Sequence, residues 1–380
     1  MLFFFPGFGV THFLLLVLAT LWTYSIGYLL TTNRLFLSRY KKAKISLTFF
    51  SLFTVILFLA FFKYPFLKKA LAQYQFFLNL KTTAFVPFVG ISYFSFKMMH
   101  FLVDCYKQEV LSLNLVNYLN YILFFPSFIS GPINRYNHFC RQFDSGASKS
   151  IKKDLSEGGE RIIHGLFKKF VLVTLIYPYI LSNIRKPIEQ LSIFEIAYGL
   201  YAYAFYFYFD FSGYSDMAIG GARMMGIELP ENFNNPFLKR NIQQLWANWH
   251  ISLTRWLSDY IYWPIVRRLR NFDYFRKRHL LLSNLSILVT FTVCGMWHGE
   301  TANFIVWGLY HGAGIACMNI YQSQKKKVKK KFLRQYFLSK YSRALGVVAT
   351  FNFFVWGLLL FAFDLKSVVI LILRFVHFLV

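Results

Sequence analysis

Acidic residues are scarce in this chain. Its 380 residues hold 16 Asp and Glu against 42 Lys and Arg, and charged residues of both signs make up only 15% of it. Soluble domains average about a quarter charged residues, so this shortage excludes an ordinary water-soluble protein and sets most of the chain against lipid or other helices. Cysteine is equally sparse. Cys105, Cys140, Cys294 and Cys317 show no CxxC or metal-ligand spacing, and three lie in or beside apolar runs, so buried thiols are expected rather than a disulfide framework. No internal repeat and no Ser-, Pro- or Gly-rich linker between apolar blocks is visible, which makes one integral domain over residues 1–380 the simplest organisation. The first residues, MLFFFPGFGVTHF, lack a basic n-region and a small-residue cleavage site follows nowhere in the first apolar run, so it reads as a retained span. A nucleophile-elbow motif and a metal-ligand cluster are also missing, and neither a serine nucleophile nor a metal is expected.

What fills the chain is apolar and aromatic: 56% hydrophobic, with 47 Phe and 25 Tyr. Apolar segments fall near residues 12–30, 45–62, 83–103, 117–130, 162–182, 193–222, 280–297, 303–320, 345–363 and 367–380. Crossing a bilayer takes about 20 residues, and several segments are shorter, so about eight or nine full spans with re-entrant helices between them are expected in an all-α polytopic membrane protein. The formal charge of +26 sits in connecting segments: Arg34, Arg39, Lys41, Lys42 and Lys44, then Arg276, Lys277 and Arg278, then Lys325 to Lys331. These read as cytoplasmic topology anchors rather than a nucleic-acid surface, and a third reading is a dock for an acidic cytosolic protein. Lys63, Lys68 and Lys69 run against a clean inside-positive alternation.

Polar residues inside the apolar stretches are the candidates for chemistry. In FFPSFISGPINRY, Pro126, Gly131 and Pro132 interrupt a helix, and Arg135 just beyond is either an interfacial anchor or a site residue. The stretch YAYAFYFYFDFSGYSDMAIGGARMMG carries Asp210, Asp216 and Arg223, which need partners; Asp216 and Arg223 share a helical face and are expected to pair or to bracket a polar pocket. Asp210 is as consistent with a packing cluster as with a site. PENFNNPFLKRN, residues 230–241, has no helical period but is rich in hydrogen-bonding side chains, Asn232, Asn234 and Asn235 among them. Asn241 and Gln244 resemble an N-cap and its reciprocal partner. The helix expected after them places Trp246, Trp249, His250, Leu253, Trp256, Leu257, Tyr260 and Ile261 on one apolar stripe, where His250 alone would pass for a structural histidine.

His298, in GMWHG, is harder to dismiss. An ionisable side chain at the end of a run able to enter a bilayer is expensive to keep there and is a functional hypothesis by default. Gly295 and Gly299 let other backbone come close. Counting about 1.5 Å per residue from Arg278 puts His298 roughly 30 Å along a straight helix. A desolvated neutral imidazole there suits removal of a proton from a hydroxyl.

In order along the chain, GISYFSFKMMHFLVD, FFPSFISGPINRY, FDFSGYSDMAIG, PENFNNPF, WANWHISLTRWLSDYIYWP and GMWHGETANFIVWGLYHG resemble bacterial members of the membrane-bound O-acyltransferase (MBOAT) family over residues of about 90–315. The resemblance implies a ring of tilted transmembrane and re-entrant helices around a central reaction chamber, with His298 as the catalytic histidine and His250 as a second site residue. It implies that the chamber is lined by Asn232, Asn234, Asn235, Trp246, Trp249 and Trp297, with Asp210 and Arg135 as further substrate-binding candidates. ISGPINRY is similar to the branch that moves D-alanine toward lipoteichoic acid; WHISLTRWLSDYIYWP and FIVWGLYHG are similar to the alginate O-acetyltransferase branch, although VRRLRNFDY replaces that branch's glycine-rich turn. Both imply a cytosolic thioester, on a small acidic acyl carrier protein or on CoA, and a hydroxyl reached from outside, on a polymer or a relay acyltransferase, with no bound cofactor. A multi-pass protein of the cytoplasmic membrane, touching lipid and no nucleic acid, is expected. Two readings from other classes are a proton-coupled transporter using His250, His298, Asp210 and Asp216, and a non-catalytic scaffold of an envelope-polymer complex. A lipid-modifying acyltransferase is the rival within the enzymes.

Overall fold

A computed structural model of the chain describes residues 10–32, 40–64, 90–145, 150–180, 190–327 and 339–379. The charged positions Arg34, Arg39, Lys68, Lys69, Lys329, Lys330 and Lys331 lie outside them, as does the start of the 83–103 segment. Among the described residues there is no strand, only an isolated bridge between Phe233 and Trp249. The protein is an all-α, multi-pass membrane protein. Among the described residues five helical stretches are long and apolar enough to cross a bilayer: Phe13–Thr32, Lys41–Lys63, Ile151–Tyr179, His279–His298 and Lys340–Ala362. Their outward faces carry large apolar side chains such as Leu18, Phe49 and Phe53, each more than half exposed, as a lipid-facing surface requires.

Two compact units form, Met1–Ile163 with Ser215–Pro230, and His164–Tyr214 with Glu231–Val380. In the first unit, α1 (Val10–Thr32), α2 (Lys41–Lys63) and α3 (Ile91–Tyr106) precede two short helices, α4 (Leu115–Leu123) and α5 (Tyr136–Asp144). The break expected at Pro126 to Pro132 is present: α4 stops at Leu123, one 3-10 turn covers Phe125–Ser127, and Gly131 packs so tightly that a Cβ there would stand 2.6 Å from the Ser127 Cα. Backbone freed at such a break must be satisfied by protein. Lys97, 2% exposed on α3, does this: its Nζ donates to the Tyr121 carbonyl at 3.2 Å and to Ser127 Oγ at 2.9 Å, capping the C-terminal end of α4 where cations are favoured. The Tyr121 hydroxyl donates to the Asn134 carbonyl at 2.9 Å and therefore accepts from His100 Nε2 at 2.6 Å, which fixes the proton on that nitrogen. Lys97→Met is expected to strand the Tyr121 carbonyl and cost about 1–3 kcal/mol, read as a lower thermal midpoint of the solubilised protein; an unchanged midpoint would remove the cap from the account.

α6 (Ile151–Leu166) and the long α7 (Ile193–Met224) contribute residues to both units. The expected pairing of Asp216 with Arg223 does not form. In the first unit Asp216 instead holds Arg161 at 3.1 Å, while Arg223 forks onto Asp154, Glu157 and Glu228 at 2.8, 2.7 and 2.9 Å. Same-helix spacing was outcompeted by partners on α6, Arg161 for Asp216 and Asp154 with Glu157 for Arg223, and a guanidinium reaches several carboxylates at once. Their glycines explain the closeness: at Gly220 a Cβ would stand 2.9 Å from Ile162 Cγ1 and crowd the Gly158 carbonyl. In the second unit Asp210 pairs with Lys169, which lies in a π-helical stretch, Phe167–Leu172.

The second unit continues through α8 (Ile242–Trp246), α9 (Ile251–Leu257), a π-helical turn Ser258–Tyr262, α10 (Trp263–Leu269), α11 (His279–His298), α12 (Ala302–Lys327), α13 (Lys340–Gly357) and α14 (Leu365–Leu379). Asn241 caps α8 as expected, accepting from the Gln244 N–H at 2.9 Å. The single helix expected through the tryptophan stripe is instead two, because the chain turns at Ala247 to His250. Cys105, Cys140 and Cys294 are buried; Cys317, against expectation, is exposed on α12, whose length presents one face outward.

Candidate functional site

The break between α8 and α9 is made by the irregular segment that precedes α8. Buried Asn232 receives the Ile251 N–H on its carbonyl at 2.9 Å and Ser252 Oγ on its Oδ1 at 2.6 Å, while the Asn234 N–H donates to the Asn248 carbonyl at 3.1 Å. These bonds replace helix bonds through residues 247–250 and leave His250 at φ +43, ψ 52, a left-handed conformation unusual for a non-glycine residue. Local strain of this kind persists only where the surroundings over-determine it. His250 is 5% exposed, packs edge-on against Phe211 at 4.6 Å, and burial pushes its imidazole down to about 3, so the ring is neutral.

α11 and α12 form a tight hairpin whose turn is Gly299 to Thr301. Each helix presents glycines at four-residue spacing, Gly295 with Gly299 and Gly308 with Gly312, and these face the partner: Gly295 lies under the Phe304 carbonyl and Gly308 under the Phe291 carbonyl. Small residues at that spacing let helix backbones meet in a membrane, where no hydrophobic force drives them together. His298 is therefore the last residue of α11, at its carbonyl end. Rings surround it: Trp297 at 4.6 Å, Trp307 at 4.9 Å and Phe361 at 5.0 Å between centroids.

A cavity of about 360 Å³ lies beside these helices. Trp246, Thr290, Phe291 and Cys294 line it near the hairpin's glycines, and Cys294 is one turn before His298. Gln243 and Asn319 also line it, and they join a polar chain in which Gln322 donates to Gln243 at 2.7 Å and Asn319 to Asn284 at 2.8 Å. Asn284 stands near the Arg278 end of α11, so the cavity wall runs from that end toward the histidine end.

The expected residues thus divide. Trp246 and Trp249 are buried, Trp249 joins Phe207 at 5.8 Å, and Phe207 meets Phe361 at 5.7 Å, so one connected set of rings links the neighbourhoods of His250 and His298. Asn232 is buried as a backbone organiser, whereas Asn234 and Asn235 are exposed and act through their backbone, Asn235 at φ +45. Asp210 is held by Lys169, and Arg135 belongs to the first unit, at the start of α5. Trp307, His311 and Phe361 were not singled out from the sequence. The signal for the first two was available in WGLYHG, whose glycine spacing repeats that of GMWHG; Phe361 carries none, since it arrives from a distant apolar helix.

The family model for MBOAT, the membrane-bound O-acyltransferase family, matches residues 4–360. The chain is 33% identical over 281 residues to a teichoic acid D-alanyltransferase of Bacillus subtilis, covering 73% of this chain and 69% of that protein. It is 33% identical over 230 residues to a protein of Pseudomonas fluorescens named "Probable alginate O-acetylase AlgI", covering 60% of this chain and 44% of that one. A peptidoglycan O-acetyltransferase of Helicobacter pylori is 31% identical over 291 residues, covering 70% and 52%. With the match running through both units and across the hairpin that carries His298, the chain belongs to the membrane-bound O-acyltransferase family and is an acyltransferase.

Proposed function

We propose that the protein moves a D-alanyl group from a cytosolic thioester to a hydroxyl of a teichoic acid or envelope polysaccharide, or of a relay acyltransferase, on the outer side of the cytoplasmic membrane. The observation that carries the reading is the position of His298, at the end of α11, ringed by aromatics and one turn from a cavity wall that continues toward the Arg278 end of the same helix. His298 takes the proton of the acceptor hydroxyl, whose oxygen attacks the thioester carbonyl; the departing thiolate then receives that proton. The carbonyl end of α11 presents partial negative charge to a ring that must carry a proton between those steps. His250, neutral and clamped by the Asn232 segment, packs against Phe211 next to Trp249.

D-alanyl is preferred to acetyl because the relatives named for D-alanyl transfer align with a larger share of both chains than the alginate relatives do. A carrier protein is preferred to CoA on the charge of one surface segment. From the end of α10 to the start of α11, Arg267, Arg268, Arg270, Arg276, Lys277 and Arg278 are all exposed, with Phe272 and Tyr274 exposed among them. Clustered cations steer an acidic partner, and exposed aromatics give it something to bury.

Membranes containing the protein, offered labelled D-alanyl carrier protein and labelled acetyl-CoA in parallel, test the reading. Label passing to envelope polymer from the D-alanyl donor alone supports it. Label from acetyl-CoA alone reassigns the acyl group, and transfer from neither removes the proposed donor class.

A further inference from the structure

The second unit holds a fully buried histidine that the preceding chemistry does not use. His311 on α12 is 0% exposed, and among the described residues neither of its ring nitrogens has a hydrogen-bond partner. Two indoles beside it share that condition. Trp246 is 6% exposed and Trp307 3%, and the Nε1 of each is buried without an acceptor. The three rings form a small triangle, with centroids 5.1 Å apart for Trp246 and His311, 4.8 Å for Trp307 and His311, and 5.8 Å for the two indoles.

Leaving a buried polar group unpaired destabilises the fold, and an apolar ring of similar shape would avoid the loss. Three such groups on adjacent rings therefore call for a partner that is not part of the chain. Their chemistry narrows it. Each indole can only donate, and a neutral imidazole donates from one nitrogen, so the triangle offers three N–H groups and is suited to a carbonyl oxygen. Its position narrows it further: Trp307 lies between His311 and His298, 4.9 Å from the latter, and Trp246 lines the cavity.

We propose that Trp246, Trp307 and His311 supply the N–H groups that hold the acyl carbonyl oxygen while it carries negative charge. The proposal rests on His298 acting as the base. As the acceptor oxygen forms its bond to the carbonyl carbon, its proton passes to His298 and the carbonyl π electrons move onto oxygen, which the three donors stabilise. Collapse restores the carbonyl, breaks the carbon–sulfur bond, and returns the proton from His298 to the thiolate, giving ester and thiol. Asn234 and Asn235, by contrast, are exposed, and Asn232 uses its Oδ1 to accept from Ser252 in holding the backbone. Preorganised donors of this type act most strongly where water is excluded, and loss of one typically lowers turnover by about 10² to 10³.

The test is a kinetic comparison of purified full-length wild type, His311→Phe, His311→Gln and Trp307→Phe, using whichever thioester donor the wild type accepts, with thermal midpoints measured alongside. His311→Phe and Trp307→Phe are expected to lower kcat by about 10² to 10³ with KM for the donor little changed and the midpoint equal or raised. His311→Gln keeps an N–H and is expected to recover part of the loss. A His311→Phe enzyme with wild-type kcat overturns the proposal, because a packing role is met by phenylalanine. Should His311→Phe fail to fold, Trp307→Phe, which keeps a large ring and deletes only the donor-bearing one, decides alone. A wild type active with a thioester and indifferent to all three substitutions sinks this proposal and leaves the proposed function standing; a wild type inactive with every thioester sinks both.

Discussion

His298→Ala is expected to abolish detectable acyl transfer while the solubilised protein stays monodisperse with a near-native thermal midpoint. Two parts of the structure set that combination. His298 is only partly buried and ends its helix, so truncation leaves space next to the Gly299 turn rather than a sealed core cavity, and Trp297, Trp307 and Phe361 retain their other contacts. The chemistry has no such redundancy. General-base assistance contributes about 10² to 10⁴ in rate, and a hydroxyl near neutral pH is a poor nucleophile without it. His298→Gln should fare as badly, since an amide fills the volume but does not take a proton. Turnover within tenfold of wild type in either variant would mean that another group removes the proton, and His250 would be the next to test.

Gly308→Ala is expected to cause the largest structural loss. In an ordinary helix interior this substitution gains about 1 kcal/mol, because alanine gives up less backbone freedom. Here a Cβ on Gly308 would fall well inside van der Waals contact distance of the Phe291 carbonyl oxygen, and no side chain can swing away to make room, since the opposing atom is backbone. α11 and α12 would have to separate, moving His298 relative to Trp307. Overpacking typically costs about 1–3 kcal/mol, so the midpoint should fall and activity should fall further than stability alone explains. Gly221→Ala is the matched control: it is also a helical glycine, and a Cβ there meets nothing within 4 Å. Equal behaviour of the two variants would show that the hairpin tolerates separation.

How far the fold was legible depended on whether neighbours in sequence were also neighbours in space. The membrane class, α1, α2, α11 and α13 follow from apolar length, and the break after α4 follows from Pro126, Gly131 and Pro132. Ion pairing did not: Asp216 and Arg223 sit on one helix face, yet each found its partner on α6, a choice that depends on how close Gly158 and Gly220 bring two backbones. The helical period through Trp246, Trp249 and His250 was equally misleading, because the stripe is real but the helix is interrupted by hydrogen bonds from Asn232 and Asn234, which periodicity does not register. The candidate site was half visible. His298 and His250 stand out as ionisable groups among aromatics, whereas the donor triangle around His311 combines residues from α8 and α12 and exists only once those helices pack.

The rings around His298 also come from widely separated parts of the chain. Trp297 and Trp307 belong to the hairpin that carries it, but Phe361 is contributed by the last turn after α13. Synthesis from the N-terminus therefore produces His298, the hairpin and the rings of Trp246, Trp307 and His311 before it produces the third ring. A chain stopped short of Phe361 has His298 with one side of its enclosure missing, so that enclosure closes only after the hairpin itself has been made.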